Sequence, residues 1–253
     1  MSNIELEIVR IPPRNEGLPT LVFLHEGLGS VALWKDFPEA IARRTGCGAL
    51  TYSRYGNGFS PVLREPRQPA YMHDEALEVL PELFGSLEIA DAILIGHSDG
   101  ASIALIYAAY HPKRVRGLVL MSPHLFVEEL SLRSIAAIRG EYETTDLPQR
   151  MARYHCDADR TFYGWNDIWL SPQFRDWNIE EEASRVAAPI LAIQGLDDEY
   201  GTPAQLDSLA ARGKGRVDRL LLGDCKHSPQ RERPALMEAT IVTWIAEVGN
   251  GAQ

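Results

Sequence analysis

Residues 92–95, Ala-Ile-Leu-Ile, run directly into Gly96-His97-Ser98-Asp99-Gly100, and a helical pattern follows over 99–110. No other feature limits the fold of this 253-residue chain as tightly. Four successive apolar residues read as a strand buried on both faces, which requires helices on either side of a largely parallel sheet. A serine between two glycines at the exit of such a strand marks a strained turn that brings backbone and neighbouring elements very close together. That turn lifts Ser98 above the carboxyl end of a central strand, the edge at which open α/β sheets bind ligands. The N–H of Asp99, at the start of the helix, is then free to donate to an oxyanion developing beside Ser98.

The rest of the chain repeats this rhythm. Short aliphatic or β-branched runs at 4–9, 20–24, 49–52, 117–121, 189–193 and 217–222 alternate with helical patterns at 31–44, 71–84, 204–212 and 234–248. Strand alternating with helix predicts a doubly wound, mostly parallel α/β sheet. One interval breaks the alternation. Residues 127–185 hold no convincing strand, only polar helical segments interleaved with Tyr154, Phe162, Tyr163, Trp165, Trp169, Phe174 and Trp177. We therefore expect an α/β core from residues 1–126 and 186–253, with 127–185 inserted as a helical lid. Trp165, Trp169 and Trp177 are its candidate substrate contacts, unless the rings only pack the insertion's own small core.

Composition bounds the partners. The chain is 45% hydrophobic and 24% charged, ordinary for one large domain with an insertion. A core of that size needs no disulfide or metal. Cys47, Cys156 and Cys225 form no CxxC pair and show no zinc-ligand spacing, so a reducing cytoplasm is the expected setting. No secretory leader is visible, and no apolar stretch approaches the roughly 18–20 residues that span a bilayer. A net charge of −10 argues against nucleic acid, because phosphate binding wants a surplus of Lys and Arg.

A serine is a poor nucleophile without a base. Of seven histidines, His227 is the one that follows the last expected strand, in Gly223-Asp224-Cys225-Lys226-His227-Ser228-Pro229. That loop ends at the same sheet edge as the serine turn. An acid to orient the histidine should follow the preceding strand, where the chain reads Gly195-Leu196-Asp197-Asp198-Glu199. Serine, then acid, then histidine is a known chain order for such a triad on a strand–turn–helix serine. Asp198, Asp197 and, less well, Glu199 all fit.

From about Pro19 to Val248 the chain resembles the α/β-hydrolase superfamily. The likeness rests on Leu24-His25-Glu26-Gly27-Leu28-Gly29, Ser53-Arg54-Tyr55-Gly56-Asn57-Gly58-Phe59-Ser60, the Gly96–Gly100 turn, and Gly195-Leu196-Asp197-Asp198 with His227. The resemblance implies that the acid lies three residues beyond Gly195, which selects Asp198. It also implies a second oxyanion donor in the loop after Leu24, the N–H of Gly27 or, second, of Leu28. Glu26 stands where the family usually has glycine. The Ser53–Ser60 stretch departs from the family pattern at its first position and is read as turn structure. Relatives such as epoxide hydrolases and haloalkane dehalogenases use an aspartate nucleophile, whereas position 98 is serine.

The expected function is hydrolysis of a small carboxylic ester, lactone or thioester through an acyl-enzyme, with no metal or organic cofactor implied. Hydrolysis of a carbon–carbon bond in a ring-cleavage product would use the same residues, and a ligand receptor on a retained hydrolase scaffold is the rival from another class. Asp99 carries a further expectation. Its carboxylate either stabilises the helix start or pairs with a cationic group on the substrate.

Overall fold

The computed structural model describes residues 5–250. Seven strands form one sheet: β1 Ile8–Ile11, β2 Thr20–Leu24, β3 Ala49–Tyr52, β4 Ala92–His97, β5 Val115–Met121, β6 Ile190–Gly195 and β7 Val217–Leu222. Their spatial order is β1-β3-β2-β4-β5-β6-β7. β1 runs antiparallel to β3, and every other pair is parallel. The expected strand over 4–9 starts at Ile4, outside the described residues. The observed β1 is shifted towards Ile11, in register with the four residues of β3. Pro12 and Pro13 then end it, since neither has an N–H for the ladder.

The near-continuous apolar runs have the expected cause. Every residue of β3, β4 and β6 is buried, because the sheet is covered on both faces. One face packs on α1 Phe37–Thr45 and α11 Pro234–Asn250 through Phe23, Ile41, Val119 and Ile241. The other packs on α4 Asp99–Tyr110 and the helices before it through Val22, Leu24 and Leu94, which meet Ile103 and Phe84 in one cluster. Each such side chain contributes about 1.5–3 kcal/mol on burial.

Two helical stretches differ from expectation. The 31–44 pattern splits into a 3₁₀ turn Val31–Trp34 and α1, because Lys35 takes φ 54° between them. The 71–84 pattern becomes α2 Tyr71–Asp74, a π-helical turn Glu75–Val79 and α3 Leu80–Ser86. Pro81 lacks the N–H that would continue the α-helical ladder there, which accounts for the bulge.

Between β5 and β6 lie α5 Glu129–Thr144, α6 Leu147–Met151, α7 Ala158–Leu170 and α8 Glu180–Ala183. Asp157 caps α7 by accepting from Arg160 N–H at 2.9 Å. The aromatic rings of this segment divide three ways. Tyr142 and Phe162 stack at 3.8 Å in a small local core. Phe174 and Trp177 stack at 5.3 Å within the main core. Trp165 and Trp169 face a cavity at the carboxyl edge of the sheet. Among the described residues, α9 Ala204–Arg212 and α10 Pro229–Glu232 complete the helices, and none is long and apolar enough to cross a membrane.

Candidate active site

Five loops converge at the carboxyl edge because the strand register brings their roots level: Leu24 lies opposite Gly96, His97 opposite Met121, and Gly195 opposite Leu222. Ser98 occupies the turn between β4 and α4 with φ 53° and ψ −122°, a left-handed conformation costly for any residue but glycine. The strain is held by neighbours on both sides. Ser98 N–H donates to Met121 O at 2.9 Å, and Ser98 O accepts from Ala101 N–H at 2.8 Å. A Cβ on Gly96 would meet the backbone of Gly100 and Ala101, and one on Gly100 would meet the carbonyls of Leu24 and His25. Both glycines are therefore required by close approach.

Of the acids after Gly195, Asp197 and Glu199 are exposed, while Asp198 is buried and reaches His227. His227 Nδ1–H donates to Asp198 Oδ1 at 2.8 Å. The same oxygen accepts from Tyr200 N–H at 2.8 Å, and Oδ2 accepts from Gln194 Nε2 at 3.2 Å. Burial disfavours the carboxylate, but the His227 charge and these donors outweigh it and bring the Asp198 pKa down to about 2. For His227 burial acts to lower the pKa, and Asp198, with Glu199 and Glu26, overcomes it and raises the pKa above the ordinary histidine value. Ser98 and His227 are joined by the cavity whose wall they share. With Nδ1 committed to Asp198, Nε2 is the nitrogen left for that cavity.

The loop after β2 is held by the 53–60 stretch, which sequence reasoning assigned only to turn structure. Arg54 donates through Nη1 to His25 O and through Nη2 to Glu26 O, the latter at 3.0 Å. Asn57 Nδ2 donates to Gly27 O at 3.0 Å and to Gly29 O at 3.1 Å. His25 adds a third tie: its Nε2 accepts from Arg54 N–H at 3.0 Å and its Nδ1–H donates to Glu26 O at 2.6 Å. Burial, reinforced by the Arg54 charge, holds His25 neutral, as that pair of bonds requires. With the carbonyls secured on one side, the N–H groups of Gly27 and Leu28 are left for the side where both residues and Ser98 line the cavity.

That cavity measures about 190 Å³. Trp165 and Trp169 line it, with Ile135 and Ile138 of α5; Trp177, the third expected ring, does not. Asp99 also lines it, and its side chain is engaged from behind. Tyr71 Oη–H donates to Asp99 Oδ2 at 2.7 Å, Trp169 Nε1–H donates to Tyr71 Oη at 3.1 Å, and Arg54 Nη2 lies 3.8 Å from Asp99 Oδ2. Asp99 Oδ1 is buried with no hydrogen-bond partner. His124 is a second imidazole in the wall, its ring 5.7 Å from that of His227. Burial and then the His227 charge lower its pKa to about 3, so it stays neutral. Its place just beyond β5 was a readable signal, since that strand ends at the same edge. Arg231, also in the wall, had none. Among the described residues no group of three or more His, Cys, Asp or Glu is arranged to hold a metal ion.

A family model described as alpha/beta hydrolase fold matches residues 19–148. The chain is 31% identical over 136 residues to an sn-1-specific diacylglycerol lipase of Danio rerio, covering 53% of this chain and 41% of the lipase. It thus spans less than half the length of that relative. Over 263 residues it is 26% identical to the 2-hydroxymuconate semialdehyde hydrolase of Pseudomonas sp. (strain CF600), covering 93% of this chain and 89% of that protein. Its fold matches the enol-lactonase of Burkholderia xenovorans with a TM-score of 0.72 at 23% identity, over 96% of this chain and 97% of the other.

Proposed function

The chain belongs to the α/β-hydrolase family, and on that footing we propose that it hydrolyses a small carboxylic ester, lactone or thioester through a Ser98–His227–Asp198 triad. The observation that carries the reading is the 2.8 Å bond from His227 Nδ1–H to a buried Asp198 carboxylate, in a cavity that Ser98 shares. Ser98 Oγ attacks the carbonyl carbon while His227 Nε2 takes its proton. The oxyanion that forms is met by the N–H groups of Asp99 and Gly27. Asp198 stays ionised and stabilises the imidazolium. His227 then returns the proton to the leaving oxygen or sulfur, and a water molecule, activated by the same imidazole, releases the acyl group and regenerates Ser98. Residues 127–185 serve as the lid, and the small volume between Ser98 and Trp165 limits the acyl group.

A second reading is supported by the long match to the semialdehyde hydrolase, which covers most of both chains. The same residues would then cleave a carbon–carbon bond in a vinylogous diketone. The carboxylates of Glu26 and Asp99 in the cavity wall are paired with Arg231 and Arg54, so their charges do not by themselves exclude an acidic substrate of that kind. The deciding experiment assays short esters, lactones, thioesters and ring-cleavage diketones against wild type and Ser98→Ala, with fluorophosphonate labelling of both. We expect ester turnover and labelling at Ser98, with kcat reduced by at least about 10³-fold in Ser98→Ala. Labelling that persists unchanged in Ser98→Ala refutes the nucleophile, and binding without turnover across the panel favours a receptor.

A further inference from the structure

Glu26, one residue before Gly27, places a carboxylate against Gly29 of the same loop, only 18% exposed and in the cavity wall that Ser98 and His227 share. An uncompensated negative charge there opposes the charge that develops on a substrate oxygen at the same loop. The structure meets it with two groups from other segments. Arg231 Nη2 donates to Glu26 Oε1 at 2.8 Å, and His97 Nδ1 lies 3.6 Å from Glu26 Oε2. Against the cost of burial, contact with His97 and the Arg231 charge hold Glu26 ionised, its pKa well below the usual range.

These partners lead to the rest of the site. His97 Nε2–H donates to the carbonyl of His227 at 2.8 Å, and Gln230 Nε2 contacts His97 Nδ1 at 3.0 Å. Glu232, next to Arg231, accepts from the N–H groups of Lys226 and Ser228 on either side of His227, at 2.9 and 3.1 Å. Arg231 is therefore fixed to the loop that carries His227, and Glu26 to the loop that carries Gly27.

Resting on the assignment of Gly27 and His227 above, we infer that Arg231 is a positioning and charge-compensating residue that makes an acid tolerable in the oxyanion loop and ties that loop to the His227 loop. The ionisable neighbours of His227 are Asp198 and Glu199 on one side, Glu26 on the other, and His97, His124 and Tyr200, whose rings lie 5.2, 5.7 and 4.8 Å away. Arg231 is the cation paired with Glu26 in this wall. Removing it leaves the Glu26 charge, offset then by His97 alone of the two, acting on both the oxyanion and His227. Loss of Arg231 should therefore slow the chemical step and raise the His227 pKa, and neutralising Glu26 should reverse both effects.

The test compares wild type, Arg231→Met, Arg231→Lys, Glu26→Gln and Glu26→Gln/Arg231→Met by ester kinetics and by NMR titration of His227. Arg231→Met should lose about tenfold in kcat with a smaller change in KM. Its His227 pKa, and the acid limb of kcat/KM, should move up by about half a unit. The double variant should recover kcat to within about threefold of wild type and bring the pKa back, and Arg231→Lys should stay near wild type in pKa. An Arg231→Met protein with wild-type kcat and wild-type His227 pKa overturns the inference, as does a double variant no faster than Arg231→Met. The NMR arm needs no turnover. Failure of the esterase reading therefore leaves a measurable His227 shift, and a His227 pKa that is the same in all the variants refutes the compensation on its own.

Discussion

Tyr71 holds Asp99 from below: its hydroxyl donates to Asp99 Oδ2 at 2.7 Å, one residue beyond Ser98. Arg54, buried beside the pair, offsets the carboxylate charge, yet Asp99 Oδ1 keeps no partner. The side chain is thus oriented and keeps one unpaired acceptor, buried behind the cavity wall. An α-amino ester should be preferred over its des-amino isostere by about tenfold in kcat/KM, the lower end of a charge-assisted contact because Arg54 already shares the charge. Asp99→Asn should erase the preference. Equal kcat/KM for the two substrates on wild type would make Asp99 purely structural.

The pH profile follows from the Asp198–His227 pair. In the proposed triad His227 must be neutral to accept the Ser98 proton, and its pKa is raised, so kcat/KM should fall as pH drops through a midpoint above the ordinary value of 6.5. Asp198→Asn removes the charge that raises it, so the midpoint should move down while kcat falls by about 10⁴. The linkage to stability has the same sense but a much more acidic window. Asp198 is depressed to about 2, so its stabilising contribution is present above the ordinary carboxylate pKa and is lost as pH falls through about 2. Acid unfolding followed by circular dichroism should show Asp198→Asn less sensitive than wild type in that window.

The sheet was readable because β2, β3, β4 and β6 are buried on both faces and so carry near-continuous apolar runs. Ser98 was readable because close approach forbids side chains at Gly96 and Gly100. Asp198 needed a spacing borrowed from a family likeness, since Asp197 is chemically identical in sequence and differs only in exposure. Arg54, Asn57 and Arg231 act across 28, 30 and 205 residues of chain, and no local pattern reports such contacts. The aromatic residues of 127–185 looked uniform in sequence, while Tyr142 and Phe162 form a small local core and the tryptophans join the main core, two of them reaching the cavity.

Asn57 is the cleanest probe of the clamp on the proposed oxyanion loop, because one amide serves the carbonyls of both Gly27 and Gly29. Asn57→Ala should lower kcat by about 10- to 100-fold through misdirected N–H groups, with KM changed far less. It should also cost about 1–3 kcal/mol of stability for the buried carbonyls left unpaired. Urea unfolding and steady-state kinetics on the same preparation separate the two. Lost stability with kcat intact would show that the clamp supports the fold and not the oxyanion site.

The three tryptophans of the insertion should part company under mutation. Trp165 lies directly on Gly27, where a Cβ would meet its indole ring, so it forms the ceiling over the proposed oxyanion donor. Trp165→Ala should enlarge the cavity there, admit longer acyl chains and raise KM for the shortest esters. Trp169 both lines the cavity and donates to Tyr71, and its ring meets His124 edge-on at 5.0 Å. Trp169→Ala should therefore alter substrate rank and also weaken the Asp99 preference, because Tyr71 loses the donor that orients it. Trp177 stacks on Phe174 in the core, behind Trp169, and does not line the cavity. Trp177→Ala should cost about 3–5 kcal/mol of stability, typical of an emptied aromatic site, while the rank order of substrates stays as in wild type. Thermal unfolding and an acyl-chain series on the three variants check this division. A Trp177→Ala enzyme that reorders the series, or a Trp165→Ala enzyme that does not, would reverse the assignment of ceiling and core.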